Sequence, residues 1–450
     1  MEKRDKGLSP WQLTMLALGT VVGGSFFLGS AIAIRSAGPS ILLGYILVGG
    51  LVYLILFALS EMTVADTVEG SFRTFAERAF GSGVGFVVGW IYWTGLILAM
   101  SSEAIAVSVF LRVWFPQISI PLLGTIIIIT ITLLNLLGAD KLSKLESGLA
   151  AVKLLAIVGF IVLALALIFG IFPGRDAIGI GVLDNESILP EGLPGLAGSL
   201  LIVMFTYAGF EIIGLASTEA YDPHRTIPRA ILYTVLGLVG LYTLAIGFLL
   251  PLIPTSYLNE EVSPLVAALK VNGIYWAANI INVVLVTAIL STMLAATFGL
   301  GRMMRSLADE GYAPLFLRDK GDIPYKGIIF SGLAMLIGLG LGFILPKKIY
   351  LFLVSSGGFS LLFTYLIILA THYKFRKKHG CPPKGKCQLP GYPYTSWIAI
   401  TAVLTIIITM PLIPGQGEGL FAGLIFVTLY ATIYLVAKYI KKYSANFHRR

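Results

Sequence analysis

Glu103, Lys153 and Glu211 are ionisable residues set in long apolar surroundings. A charge inside a membrane helix costs about 2.5–3.5 kcal/mol on insertion scales, so it faces a protein interior and marks a path for ions or a charged solute. Two backbone features accompany them. The first apolar stretch is interrupted at Gly23-Gly24-Ser25, and the sixth has a matching weak point at Tyr207-Ala208-Gly209-Phe210-Glu211. A membrane helix satisfies its own backbone, so interruptions at corresponding places need a reason. Unwound backbone presents bare N–H and C=O groups, and half-helix ends aim their dipoles at a charged solute. The chemistry implied is binding of a charged solute and its passage, with no bond made or broken.

Each residue then takes a candidate role. Gly23 and Gly24 permit non-helical angles and close approach. The amides of Gly24 and Ser25 open an outer half-helix, where a carboxylate fits. In the sixth stretch the carbonyl of Ala208, beside Gly209, suits an ammonium. Glu211 has three possible tasks: shaping a gate, binding protons or satisfying freed amides. Glu219, near the cytoplasmic end, suits an ion pair closing the inner mouth. Lys153 lies about 10 Å from the cytoplasmic end at 1.5 Å per residue, within reach of snorkelling. Tyr92, Ala99, Ser102, Glu103 and Ala106 share a helical face, which leaves Glu103 either in a pathway or hydrogen-bonded within the bundle.

The elements that position these residues are membrane spans. The chain has 450 residues, 57% hydrophobic and 12% charged, with mean hydropathy +0.89; a soluble domain carries roughly 25% charged residues. Its polar start is followed by a stretch too long for a signal-peptide core, so no cleavable signal is expected. Apolar runs of spanning length fall at 12–34, 39–64, 84–113, 122–137, 147–171, 196–220, 229–253, 275–307, 327–345, 349–373, 396–413 and 420–440. With the N-terminus in the cytoplasm, 25 of the 32 Lys and Arg fall on cytoplasmic segments. Six fall outside: Arg35, Arg112, Arg175, Lys270, Lys347 and Lys348, and Lys153 lies within a span. That asymmetry obeys the positive-inside rule and puts both termini in the cytoplasm of a multi-pass protein of the cytoplasmic membrane. It also accounts for the net charge of +9, which faces the inner leaflet and requires no nucleic acid.

The expected fold is all-α, with twelve spans in a 5+5 inverted repeat whose first and sixth helices are broken, plus two additional helices. The N-terminal repeat with its external loop covers 1–194, the inverted second repeat 195–376, and the remaining loop, spans and tail 377–450. A short amphipathic segment is expected at 70–80, an external loop at 176–194 and a short external helix at 260–270. Cys381 and Cys387 read as free thiols in a reducing compartment. Four histidines with no clustered metal ligands or nucleophile elbow argue against an enzyme, a metal site or a cofactor. No Walker motif is present, so ATP does not drive this chain.

Five stretches carry a resemblance. LGTVVGGSFFLGSAIAIRSAGPS is similar to G-x-I-G-[TS]-G-[LI]-F followed by AGP, and ALSEMTVADTVEGSF to A-L-x-E-[ML] … G-S-F. GWIYW resembles G-W-x-Y-W. FTYAGFEIIGLASTEAYDPHRTIPRAI follows F-x-[FY]-x-G-x-E … E-x-x-[ND]-P … I-P-[RK]-A-I, and GRMMRSLADEGYAP follows S-R-[ML]-x-x-x-[LM]-A-x-[DQE]-G-x-[AL]-P. By these motifs the chain resembles the bacterial amino acid permeases of the amino acid–polyamine–organocation superfamily, nearly end to end.

The resemblance implies secondary-active import of an amino acid by alternating access, coupled to protons, with an exchanger or a sodium symporter as alternatives. It implies that the carbonyl of Val21 faces the substrate ammonium, that Phe205 lids the bound solute, and that Glu103 lies near the pocket. It implies that Lys153 stands where sodium-coupled relatives bind sodium, between the first and eighth spans, with Ser291 and Thr292 as neighbours. Gly23-Gly24-Ser25 departs from the frequent Gly-Thr-Gly, and Leu294-Ala295-Ala296 from Asn-Ser-Gly. The second change leans toward small or apolar neutral substrates.

Overall fold

The computed structural model describes residues 7–68, 70–217, 220–319, 321, 323–341, 349–381 and 388–447. Side chains at 139–147, 215 and 441–447 are left aside. Glu219, Cys387, Lys347 and Lys348 lie outside the described residues.

Helix α1 (Pro10–Val21) starts on a capping box: Ser9 accepts from Gln12 N while the Gln12 side chain accepts from Ser9 N, with Pro10 at the first helical position. It stops where Val22 turns extended, at φ −73° and ψ 99°. After Gly23 and Gly24 the chain resumes as a π-helical turn, Ser25–Gly29, and continues as α2 (Ser30–Ala37). Gly38, at φ +59°, and Pro39 turn the chain into α3 (Ile41–Ala65). The amphipathic α4 (Ser71–Phe80) lies between two left-handed glycines, Gly70 and Gly81.

Then follow α5 (Ser82–Leu111), α6 (Ile120–Asn135), α7 (Ala139–Ile168) and α8 (Gly192–Thr206). A single helical turn, α9 (Ile212–Leu215), precedes α10 (Pro223–Leu249) and the short α11 (Pro264–Val271). The chain closes with α12 (Tyr275–Asp309), α13 (Tyr325–Gly340), α14 (Ile349–His379), α15 (Tyr394–Thr409) and α16 (Gln416–Phe447). Helices α4 and α11 fall on the two short segments expected at 70–80 and 260–270.

Among the described residues there is no β-sheet, only one isolated parallel bridge between Leu8 and Ala220. Among the described residues eight stretches are long and apolar enough to cross a membrane, the first running through α2 and α3; α6, α8 and α13 are shorter apolar helices. The broken pieces pack in pairs, α1 against α9 and α2 against α8, while α14 runs along α5 at the centre. Helix α16 leaves most of its apolar window uncovered, as expected of a late span facing lipid.

Two ionic knots tie the helix ends. The fully buried carboxylate of Glu61 on α3 accepts from His372 Nε2 at 2.6 Å and Arg376 Nη1 at 2.6 and 2.7 Å, both on α14. It also accepts from the backbone N–H of Leu389 at 2.8 Å, in the segment leading to α15. The buried guanidinium of Arg73 on α4 meets Glu77 at 3.2 Å and reaches Glu310 at the end of α12. Cys381 is disulfide-bonded, which corrects the free-thiol expectation. That expectation rested on compartment alone, and compartment does not fix the state of an individual thiol.

Candidate functional site

The two breaks face each other inside the helix bundle. At the sixth span, α8 ends at Thr206 and the usual hydrogen-bond ladder gives way to tight turns. Ala208 N donates to Phe205 O at 3.1 Å, Ile212 N to Gly209 O at 3.2 Å and Ile213 N to Phe210 O at 3.2 Å. Gly209 sits at φ +104°, a conformation side chains rarely adopt, and a Cβ there would lie 3.3 Å from the carbonyl oxygen of Thr20 on α1. A glycine therefore suits both the turn and the close approach of the two breaks.

Glu211, fully buried, closes this turn. Its carboxylate accepts from Gly209 N at 3.1 Å, from Tyr92 OH of α5 at 3.0 Å and from Tyr365 OH of α14 at 3.1 Å. Here it satisfies a freed amide, and its carboxyl has three hydrogen-bond partners, as a buried polar group requires. Tyr92 shares a helical face with Glu103, yet from its place about three turns before Glu103 on α5 its hydroxyl goes to Glu211. An aromatic group backs the break: Phe26 stacks on Tyr242 with centroids 4.0 Å apart, and Tyr242 OH donates to Thr206 O at 3.2 Å. Phe205 is buried and packs toward α14, 3.7 Å from the place of a Cβ on Gly358.

At the first span, each side of the break has its own counter-charge. Lys153, buried on α7, donates to the carbonyls of Gly19, Val22 (3.2 Å) and Ala288 (3.4 Å) and to Thr292 Oγ1 (3.0 Å). It does not snorkel: its ammonium caps the carbonyl end of α1, where the helix dipole is negative. Thr292 also donates toward Val22 O at 3.2 Å. Ser291 is buried on the same helix, but Thr292 is the residue that meets Lys153.

On the far side of the break, Gly24 N donates to Glu103 Oε2 at 2.6 Å and Ser25 N to Oε1 at 3.1 Å. These are the two amides expected to receive a carboxylate. They hold the protein's own, with Glu103 only 4% exposed.

Thus Val21, Gly23, Gly24, Ser25, Glu103, Lys153 and Thr292 gather at the first break, and Ala208, Gly209 and Glu211 at the second. Glu61 stands in the sequence as a motif letter and Arg376 as one of the cytoplasmic charges, while His372 carries no mark there. The signal for Glu61 is the one used for Glu211, a carboxylate within an apolar stretch. Tyr365 carries no comparable mark in the sequence. Among the described residues no group of His, Cys, Asp and Glu is arranged to hold a metal ion.

An all-helical bundle with paired helix breaks and buried charges is the architecture of a membrane transporter. The structure resembles the crystal structure of an Eremococcus coleocola manganese transporter in complex with an aromatic bis-isothiourea substituted compound. The TM-score is 0.57 at 13% identity, covering 96% of this chain and 93% of that one; this likeness concerns the fold alone. The chain belongs to the amino acid permease family, whose model matches residues 12–450.

Relatives include an uncharacterized amino acid permease, YtnA, of Bacillus subtilis, 32% identical over 100% of this chain and 96% of that protein. The γ-aminobutyric acid permease of B. subtilis is 30% identical over 94% and 92%. The aromatic amino acid transport protein AroP of Escherichia coli K12 is 30% identical over 93% of each. The protein is a multi-pass membrane permease and not an enzyme.

Proposed function

We propose that this permease is a secondary-active importer of an amino acid, driven by protons, with the substrate's ammonium and carboxylate held at the two helix breaks. One observation carries the reading: Lys153 occupies a cage of oxygens from α1 and α12 at the first break. An ammonium fixed there does the work of a bound cation, and burial makes a lysine able to exchange its proton. Carbonyls of Val21 and Ala208 receive the substrate ammonium, Phe205 lids the solute, Ser291 lines the same helix face as Thr292, and Glu211 and Glu219 act in gating.

In this reading twelve spans form a 5+5 inverted repeat, 1–194 and 195–376, with 377–450 appended and both termini cytoplasmic. Support comes from the crosswise pairing of α1 with α9 and α2 with α8. Alternating access rocks one bundle against the other around the breaks. Neutral amino acids are the first substrates to test, with aromatic amino acids and γ-aminobutyrate suggested by the relatives' names.

The test is uptake into proteoliposomes under an imposed pH gradient, over the twenty amino acids and γ-aminobutyrate. Accumulation driven by the pH gradient supports the reading. Uptake that needs sodium, or efflux only against external amino acid, would replace it with symport by sodium or with exchange.

A further inference from the structure

We propose that Glu103 is a built-in occupant of the carboxylate subsite, and that a zwitterionic substrate enters by taking its place on the amides of Gly24 and Ser25. This rests on the reading that the helix breaks bind the substrate. The seat is that of a docked anion: two carboxylate oxygens on two consecutive amides that open a helical segment, at 2.6 and 3.1 Å. Both amide protons are already taken by that one carboxylate, and the surroundings of Gly24 are tight. A single added Cβ on Gly24 would meet Glu103 Oε2 at 2.6 Å, Ala106 Cβ at 3.0 Å and Ile289 Cδ1 at 3.1 Å. Two anions cannot share those amides.

Displacement sets a charge condition. A Glu103 carboxylate released from those amides would remain buried with its charge less well compensated, which is unfavourable. An incoming amino acid supplies both halves of the exchange: its carboxylate takes the amides, and its ammonium, received by the carbonyls of Val21 and Ala208, also supplies the counter-charge for Glu103. A monocarboxylate offers the first half only and leaves Glu103 unpaired. An amine offers the second half only and leaves the amides unpaired. Lys153 does not serve as the new partner, since its ammonium is held at the opposite end of the break by carbonyl oxygens and Thr292. Glu103 thereby selects for zwitterions, a specificity that the helix dipole alone would not give.

The experiment is thermal unfolding of the purified full chain in detergent, wild type against Glu103→Gln and Glu103→Ala. The probes are sodium propionate, propionamide, propylammonium chloride and an equimolar mixture of the twenty amino acids with γ-aminobutyrate. The wild type is expected to respond to the amino acid mixture and not to propionate or propylammonium. Both variants are expected to gain a saturable propionate response, about tenfold or more tighter than any in the wild type, and none to propionamide. Equal propionate responses in wild type and variants would overturn the proposal, as would variants that fold but ignore propionate. Glu103→Gln keeps the side-chain shape, so the comparison stands if Glu103→Ala does not fold. If no amino acid shifts the wild type, the helix-break pocket fails, while the propionate comparison still tests occupancy by Glu103.

Discussion

The ammonium of Lys153 meets carbonyls of α1 and α12 and the hydroxyl of Thr292, so its removal leaves several buried acceptors without a donor. Lys153→Ala is expected to abolish pH-driven accumulation with the protein still inserted; wild-type accumulation in that variant would remove the proposed coupling role. Thr292→Val keeps the shape and deletes one partner. A hydrogen bond to a charged group contributes about 1.5–3 kcal/mol, so this variant is expected to lose roughly tenfold or more in uptake rate under a pH gradient while retaining its fold. Phe26 is a contrasting case, since its contribution is contact area stacked on Tyr242. Phe26→Ala is expected to lower stability by about 3–5 kcal/mol, read as a fall in unfolding temperature.

At the scale of elements, the breaks are what the side chains serve. Gly209→Ala puts a side chain at φ +104°, which costs about 1–2 kcal/mol, and presses it toward the Thr20 carbonyl. Uptake is expected to fall more than stability, because the added methyl crowds the Thr20 carbonyl at the close approach of the two breaks; unchanged uptake would mean that their spacing is immaterial. Both interruptions were legible in the sequence because glycines and an ionisable residue sit within otherwise apolar runs. The short helices α4 and α11 were legible from their amphipathic or loop-flanked segments. The occupancy of the Gly24 and Ser25 amides by Glu103 was not. Spacing along α5 shows which residues share a face, but the rotation of that face toward α1 is set by packing against α12 and α14. The same limit hid the bonds from Tyr92 and Tyr365 to Glu211, which join residues far apart in the chain.

At the scale of the whole molecule, the bundle is fastened at its ends as well as along its core. Glu61 joins α3, α14 and the segment before α15 through His372, Arg376 and Leu389 N. Glu61→Ala strips a buried histidine and a half-buried arginine of their partner and is expected to cost about 3–5 kcal/mol, measured as a drop in unfolding temperature in detergent. Glu61→Gln keeps an acceptor and is expected to fall between the two. A second fastening involves no charge at all. Tyr221 N donates to Leu8 O at 3.1 Å, and a Cβ on Gly7 would come within 2.5 Å of the Tyr221 backbone, so glycine alone allows the two strands of chain to lie flush. The lead-in to the first severed rod is thereby spliced to the lead-out of the second. In the proposed transport cycle, a tilt of either stub is expected to drag its counterpart, like two blades riveted at one heel.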